Sequence, residues 1–338
     1  MQGSNDHSTT KFIVGAYAAA PSLRVWDAAA EGRFLDSVLA LDGVAGLEVP
    51  FDIGLHKDDE PWFLQHLPSG RDYIVTTIPG TMARLQNDPL FGLASTSEAG
   101  RRAALEFVAE ALEAVIRLGE CTSEAVRALE IHAAPVADGN GASVAALADS
   151  LTEISDWEWH GAQIVLEHCD AFRSGHSPAK GFMTLAAEAE AVSRVNERSG
   201  RSIGLSVNWG RSVIEERRPD AALEHITFLR AAGLLAGLVL SGCAGVDTRY
   251  GPAWGDVHVP PAPDLTQDDE DVTGAIDVLE PASLMTVARV RECLDAAGAG
   301  NETGFRGVKV AADPQASAEE RVATIAQTIA LVQRAANG

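Results

Sequence analysis

The sequence predicts an α/β protein folded as a single (β/α)8 barrel. Three observations carry that expectation. Short apolar runs of buried character recur eight times along the 338 residues, and an amphipathic segment follows each. The first run opens into "GAYAAAPS", which lacks the G-x-G-x-x-G turn of a doubly wound dinucleotide fold, the alternative arrangement.

The first run, "FIVGAYA" (12–18), is followed by the helical pattern "GRFLDSVLALDG". "GLEVPF" (46–51) is followed by "EPWFLQHL", and "DYIVTTIPG" (72–80) by a long stretch beginning "EAGRRAALEFVAEALEAVIRLG", whose apolar residues recur at i, i+3 and i+4. "ALEIHAAP" (128–135) precedes "GASVAALADSLTEI". "QIVLEHCD" (163–170) precedes "AKGFMTLAAEAEAVSRVNERSG", where Gly200 is placed to end the helix. "IGLSVNWG" (203–210), "AGLVLSGC" (236–243) and "GVKVAAD" (307–313) complete the strands. Pro219 and Pro281 are expected in the first turns of the helices around the seventh strand. The longest irregular stretch, from Gly242 to about Glu280, contains an acid run at 268–271 that reads as a solvated loop tip. Residues 1–10 read as a disordered tail and 11–338 as the barrel.

The charge of −22 disfavours a nucleic-acid partner, because such a surface repels phosphate backbones. No apolar stretch is long enough to suggest a membrane span, and the N-terminus lacks the core of a signal peptide. The four cysteines show no paired spacing. A cytoplasmic bacterial protein with reduced thiols is the expectation. A homo-oligomer is expected only because symmetric oligomers are common.

In a (β/α)8 barrel the carboxyl ends of the strands form the site. Those ends offer Tyr17, Glu48, Thr76, Thr77, Glu130, His132, Glu167, His168, Asp170, Asn208, Trp209, Arg211, Ser241 and Lys309, and the seventh loop adds Asp256 and His258. Bland readings stand beside the functional ones: Glu48 can salt-bridge to Lys309 or Arg211, His132 can be a core histidine, and Asp170 can be a turn cap. Glu167 and His168 are adjacent, so alternation sends only one of them inward; Glu167 is expected to face the axis, with His168 beneath a helix or at the rim. Cys169 and Cys243 read as small buried hydrophobes.

The strand order and the ends "VLEHCD", "LSVNWG", "LVLSGC", "GDVHVP" and "GVKVAA" resemble the xylose-isomerase-like superfamily, which includes sugar and sugar-phosphate isomerases and epimerases and endonuclease-IV-type phosphodiesterases. Within it the chain resembles the bacterial family labelled DUF4862. The resemblance implies a divalent metal such as Mn, Mg, Zn or Co, with Glu167, Asn208, Asp256 and His258 as the set that could hold it. Where the superfamily closes strands six, seven and eight with Asp, His and Glu, this chain has Asn208, Ser241 and Lys309. That leaves open a site with no metal, in which Lys309 pairs with Glu167 and supplies the positive charge.

The expected activity is isomerisation or epimerisation of a carbohydrate-like substrate by proton transfer beside a carbonyl. Glu167, Glu48, His132 and Lys309 are the catalytic candidates. Asn208, Trp209, Arg211, Ser241, Arg249, Trp254 and His258 would bind substrate, the tryptophans by stacking on a sugar face and the arginines by holding an anionic tail. The alternatives are a non-catalytic sugar-binding barrel acting as a sensor, and an aldolase-type enzyme using Lys309 as a Schiff base.

Overall fold

The structure, a computed structural model, describes residues 10–21, 25–264, 278–298 and 304–337. The predicted tail falls almost wholly outside these residues, as does the acid run at 268–271. The strands are β1 (Phe12–Val14), β2 (Val44–Pro50), β3 (Asp72–Thr76), β4 (Ala128–Ile131), β5 (Gln163–His168), β6 (Gly204–Asn208), β7 (Leu235–Leu240) and β8 (Phe305–Val308). They pair in chain order into a closed barrel, and β8 returns in parallel to β1. All eight apolar runs therefore become strands.

The surrounding helices are α1 (Ala28–Leu39), α2 (Glu60–His66), α3 (Ile78–Asn87), α4 (Glu98–Thr122), α5 (Val144–Ser155), α6 (Leu185–Ser199), α7 (Trp209–Glu216), α8 (Ala221–Ala231), α9 (Val287–Ala297) and α10 (Ala318–Asn337). Two of them, α3 and α7, were not expected. Each starts within two residues of its strand, so its first turn reads as a continuation of the apolar run. Gly200 ends α6 in the left-handed conformation (φ 66°), and its amide donates to Asn196 O. The two proline expectations fail. Asp220 occupies the cap position of α8, which leaves Pro219 outside the helix. Thr286 caps α9, well beyond Pro281. Among the described residues no helix is long and apolar enough to cross a membrane.

The main core lies between the sheet and the helices. A second, smaller cluster fills the barrel interior: Ile13, Ile74, Ala128, Val165, Ala236, Val239 and Phe305. Side chains two residues further along a strand face the same way, one step nearer the carboxyl end. Thr76, Glu130, Glu167, Ser241 and Lys309 hold that relation to the apolar floor or to the residue paired with it in register, and Glu48 follows Gly46, the partner of Ile13. The interior is thus apolar below and ionisable above.

Candidate active site

Three glutamates enter the upper barrel, each in different company. Glu48 on β2 accepts at Oε1 from Lys309 Nζ (2.6 Å) and from the Tyr17 hydroxyl (2.9 Å). Tyr17 reaches it from a 3-10 turn at Ala16–Ala18, directly after β1, and its ring lies 4.9 Å from Lys309 Nζ. Glu48 and Lys309 are 2 % and 1 % exposed. Burial alone would lower the lysine pKa, but the Glu48 charge outweighs it and keeps the ammonium protonated far above neutrality. Glu48, Tyr17, Glu31, His56 and Phe63 line a cavity of about 50 Å3.

Glu167 on β5 faces the axis, as expected, but its partner is not Lys309. Oε1 meets Arg211 Nη1 at 2.6 Å and accepts from Asn208 Nδ2 at 3.3 Å, while Oε2 meets His132 Nε2 at 2.8 Å. Burial pushes this carboxyl up, and the Arg211 charge with the His132 hydrogen bond more than reverses that, holding it well below the usual carboxylate range. The pairing of Lys309 with Glu167 is therefore corrected: Lys309 immediately follows β8, which pairs with β1, and β1 pairs with β2, so its ammonium reaches Glu48, and Arg211 fills the place beside Glu167. His132 is buried and held at Nδ1 by Thr77 Oγ1 (3.1 Å). Burial lowers its pKa, which leaves the ring neutral.

Among the described residues, Glu130 on β4 makes no ion pair. Oε1 accepts from Ser206 Oγ (2.7 Å), and Oε2 is buried without a partner. Burial, then the charges of Glu167 and Glu48, push its pKa well up, which favours its protonated form.

At the rim the network continues. Arg211 Nε donates to Asp256 Oδ2 (3.0 Å), which also meets Lys180 Nζ (3.0 Å). Asp170 accepts from the backbone amides of Ala179, Lys180 and Gly181, clipping the loop that presents Lys180. It acts as a turn cap. Ser241 Oγ and His258 Nδ1 lie 2.8 Å apart. Burial brings the His258 pKa down to about 3. Lys180 went unnoticed in the sequence, since "SPAKGF" carries no motif and its role depends on the Asp170 clip.

Three expected substrate contacts are placed elsewhere. Trp209 is fully buried in the main core beside Cys293 of α9, so it cannot stack on a sugar. Asn208 caps α7 and points inward, and the next residue therefore points out to the helix layer. Trp254 packs against Gly245 and the main core, with the Arg217 guanidinium 5.8 Å over its ring. Arg249 lies near Glu280 and Asp313, at 3.8 and 3.7 Å, in a cleft with Tyr250 and Gln315. Arg211 is taken up by carboxylates, which removes it as an anion holder. Cys169 and Cys243 are buried, and burial raises both thiols, Cys243 to about 12.

His168 points away from the axis, beneath the helices. Nδ1 lies 2.6 Å from Glu188 Oε2 on α6, and Nε2 lies 3.0 Å from Glu215 Oε2 on α7. Burial disfavours its charge, but the two carboxylates outweigh that and bring its pKa up to about 10. It is an imidazolium that ties β5 to two helices.

The residues expected to hold a divalent metal do not fit one. Glu167 Oε1 and Asp256 Oδ2 are bridged by a guanidinium, Asn208 Oδ1 accepts from the Arg211 amide (3.4 Å), and His258 Nδ1 is engaged by Ser241. A divalent ion wants several unengaged oxygen or nitrogen donors, and here a fixed cation already lies between the carboxylates.

The family described as a domain of unknown function, DUF4862, matches residues 13–324. The chain belongs to this family. The DUF4862 chain is 34 % identical to an uncharacterized protein of Salmonella typhimurium over 305 residues, 90 % of each protein. Among solved structures it is similar to a candidate xylose isomerase of Rhodospirillum rubrum (TM-score 0.60, 11 % identity, covering 96 % of this chain and 99 % of that one). It is also similar to a D-psicose 3-epimerase solved in the presence of D-fructose (0.53, 15 %, 97 % and 100 %). A third is a xylose isomerase domain protein of Alicyclobacillus acidocaldarius (0.50, 14 %, 97 % and 100 %). At these identities the likeness concerns the fold: a xylose-isomerase-like barrel.

Proposed function

We infer that this barrel isomerises or epimerises a carbohydrate-like substrate by moving a proton beside a carbonyl, without a divalent metal. The observation that carries the reading is the Glu48–Tyr17–Lys309 group, of which Glu48 and Tyr17 line a small cavity. Glu48 Oε1 holds two donors, and among the described residues Oε2 accepts no hydrogen bond. Oε2 is then the base that takes the C–H proton. The electron pair left behind moves onto the carbonyl oxygen as an enediolate. The Tyr17 hydroxyl and the Lys309 ammonium are the donors that can turn from Glu48 to that oxygen. Returning the proton to the neighbouring carbon, while that carbon's hydroxyl proton passes to the former carbonyl oxygen, isomerises the substrate; epimerising it takes a second acid on the opposite face of the same carbon. A Schiff base at Lys309 is disfavoured, because its ammonium is held protonated by Glu48.

One observation favours a second reading, a barrel that binds a sugar-like ligand without turnover. Glu167 and Asp256 are fully neutralised by Arg211 and Lys180, as in a static support. The test is proton NMR in deuterated water across aldoses, ketoses and their acid and phosphate derivatives. The expected result is loss of a C–H signal adjacent to a carbonyl, slowed roughly 100-fold or more in Glu48→Gln. Binding by calorimetry with no exchange would support the second reading, and neither binding nor exchange would refute both.

A further inference from the structure

We propose that the Arg211 guanidinium occupies a latent divalent-cation site and does permanently what an ion would do there, neutralising Glu167 and Asp256. The inference does not depend on which reaction the barrel runs. Arg211 is 1 % exposed and lies in the first turn of α7, where the helix dipole disfavours a cation. Burial and position both oppose its charge, and the two carboxylates at 2.6 and 3.0 Å offset them.

The surroundings of the guanidinium are a ligand set. A His132 ring nitrogen, a Glu167 carboxylate oxygen and Cys169 Sγ lie within 4.8 Å of one another. Arg211 Nη1 contacts two of the three, Glu167 Oε1 at 2.6 Å and Cys169 Sγ at 3.4 Å, and Nε reaches Asp256 Oδ2. Removing the guanidinium exposes one imidazole, one thiol and two carboxylates to a common space. Nitrogen, sulfur and oxygen donors in that mixture suit zinc or cobalt rather than magnesium. With Arg211 in place, an ion would need the lone pairs the guanidinium uses and would sit against its charge.

The test is metal content and cobalt absorption of the full chain, which read binding whether or not any substrate is turned over. Wild type dialysed against cobalt should show no thiolate-to-cobalt charge-transfer band. Arg211→Ala should bind about one equivalent and show that band, and adding Cys169→Ser should remove it. A band in wild type that is lost in Cys169→Ser or Glu167→Gln would overturn the proposal. So would an Arg211→Ala protein that folds and stays empty. If Arg211→Ala does not fold, Arg211→Met is made and both are expressed with cobalt supplied. Recovery of folded, cobalt-loaded protein is expected, since the ion restores the missing charge, and failure of both to fold with cobalt overturns the proposal as well.

Discussion

Raising the pH should loosen the attachment of α6 and α7 to β5 through one residue, His168. Its pKa is about 10 in the fold, against about 6.5 for an unconstrained histidine. A group whose pKa is raised on folding stabilises fully below the unfolded value and loses that contribution as pH rises through the folded one. The window is therefore roughly pH 6.5 to 10, and the contribution at stake is on the order of 5 kcal/mol, falling by at most about 1.4 kcal/mol per pH unit. His168→Gln keeps a polar group of similar reach but cannot carry the charge. Urea unfolding followed by far-ultraviolet circular dichroism, at steps across this window, gives the assay. The variant should be several kcal/mol less stable near pH 6, and the gap should close towards pH 10. The buried thiols of Cys169, Cys243 and Cys293, raised by burial, also destabilise the fold at alkaline pH. They do so in both proteins and cancel in the difference. A gap that stays constant from pH 6.5 to 10 would refute the assignment of an imidazolium between Glu188 and Glu215.

Lys309→Met strands a buried carboxylate and should cost about 3–5 kcal/mol by urea unfolding, while the double variant with Glu48→Gln should cost clearly less than the sum; additive effects would mean the two side chains do not act as a pair. Gly15→Ala places a Cβ 2.9 Å from Lys309 Cγ and 3.2 Å from Glu48 Oε2, so it should cut any proton exchange at least about 10-fold by NMR with the fold intact by circular dichroism, and unchanged exchange would separate this pair from the chemistry. Trp209→Phe should lower stability by about 1–3 kcal/mol and leave ligand affinity unchanged in calorimetry, because the indole is a core group; a large loss of affinity would contradict its placement.

The barrel was legible in the sequence because parallel strands covered on both faces must be apolar throughout, and each such run here became a strand. Alternation also carried real information: it sent Glu167 inward and His168 under the helices. It failed at partner choice. Whether Lys309 meets Glu48 or Glu167 depends on which strands are neighbours around the closed barrel and on what arrives from α7, and neither is a property of strand ends read one at a time. Trp209 failed for a related reason. Its strand and helix meet with no loop between them, so the capping role of Asn208 turned the next side chain outward. Lys180 depends on a loop clip made by Asp170 to three amides, which no spacing in the sequence announces.

The upper barrel is a ledger of matched charges, and this governs how the protein can change over generations. In the apolar floor a substitution trades volume, and a nearby residue of another size can absorb it. Above the floor, Glu48 is matched to Lys309, and Glu167 with Asp256 to Arg211 with Lys180. Altering one member leaves a buried ion alone, so an intermediate one step away is disfavoured. Variation at these positions should move in compensated pairs, 48 with 309 and 167 with 211, while the Glu130 carboxyl, which makes no ion pair among the described residues, is tied only to the Ser206 hydroxyl.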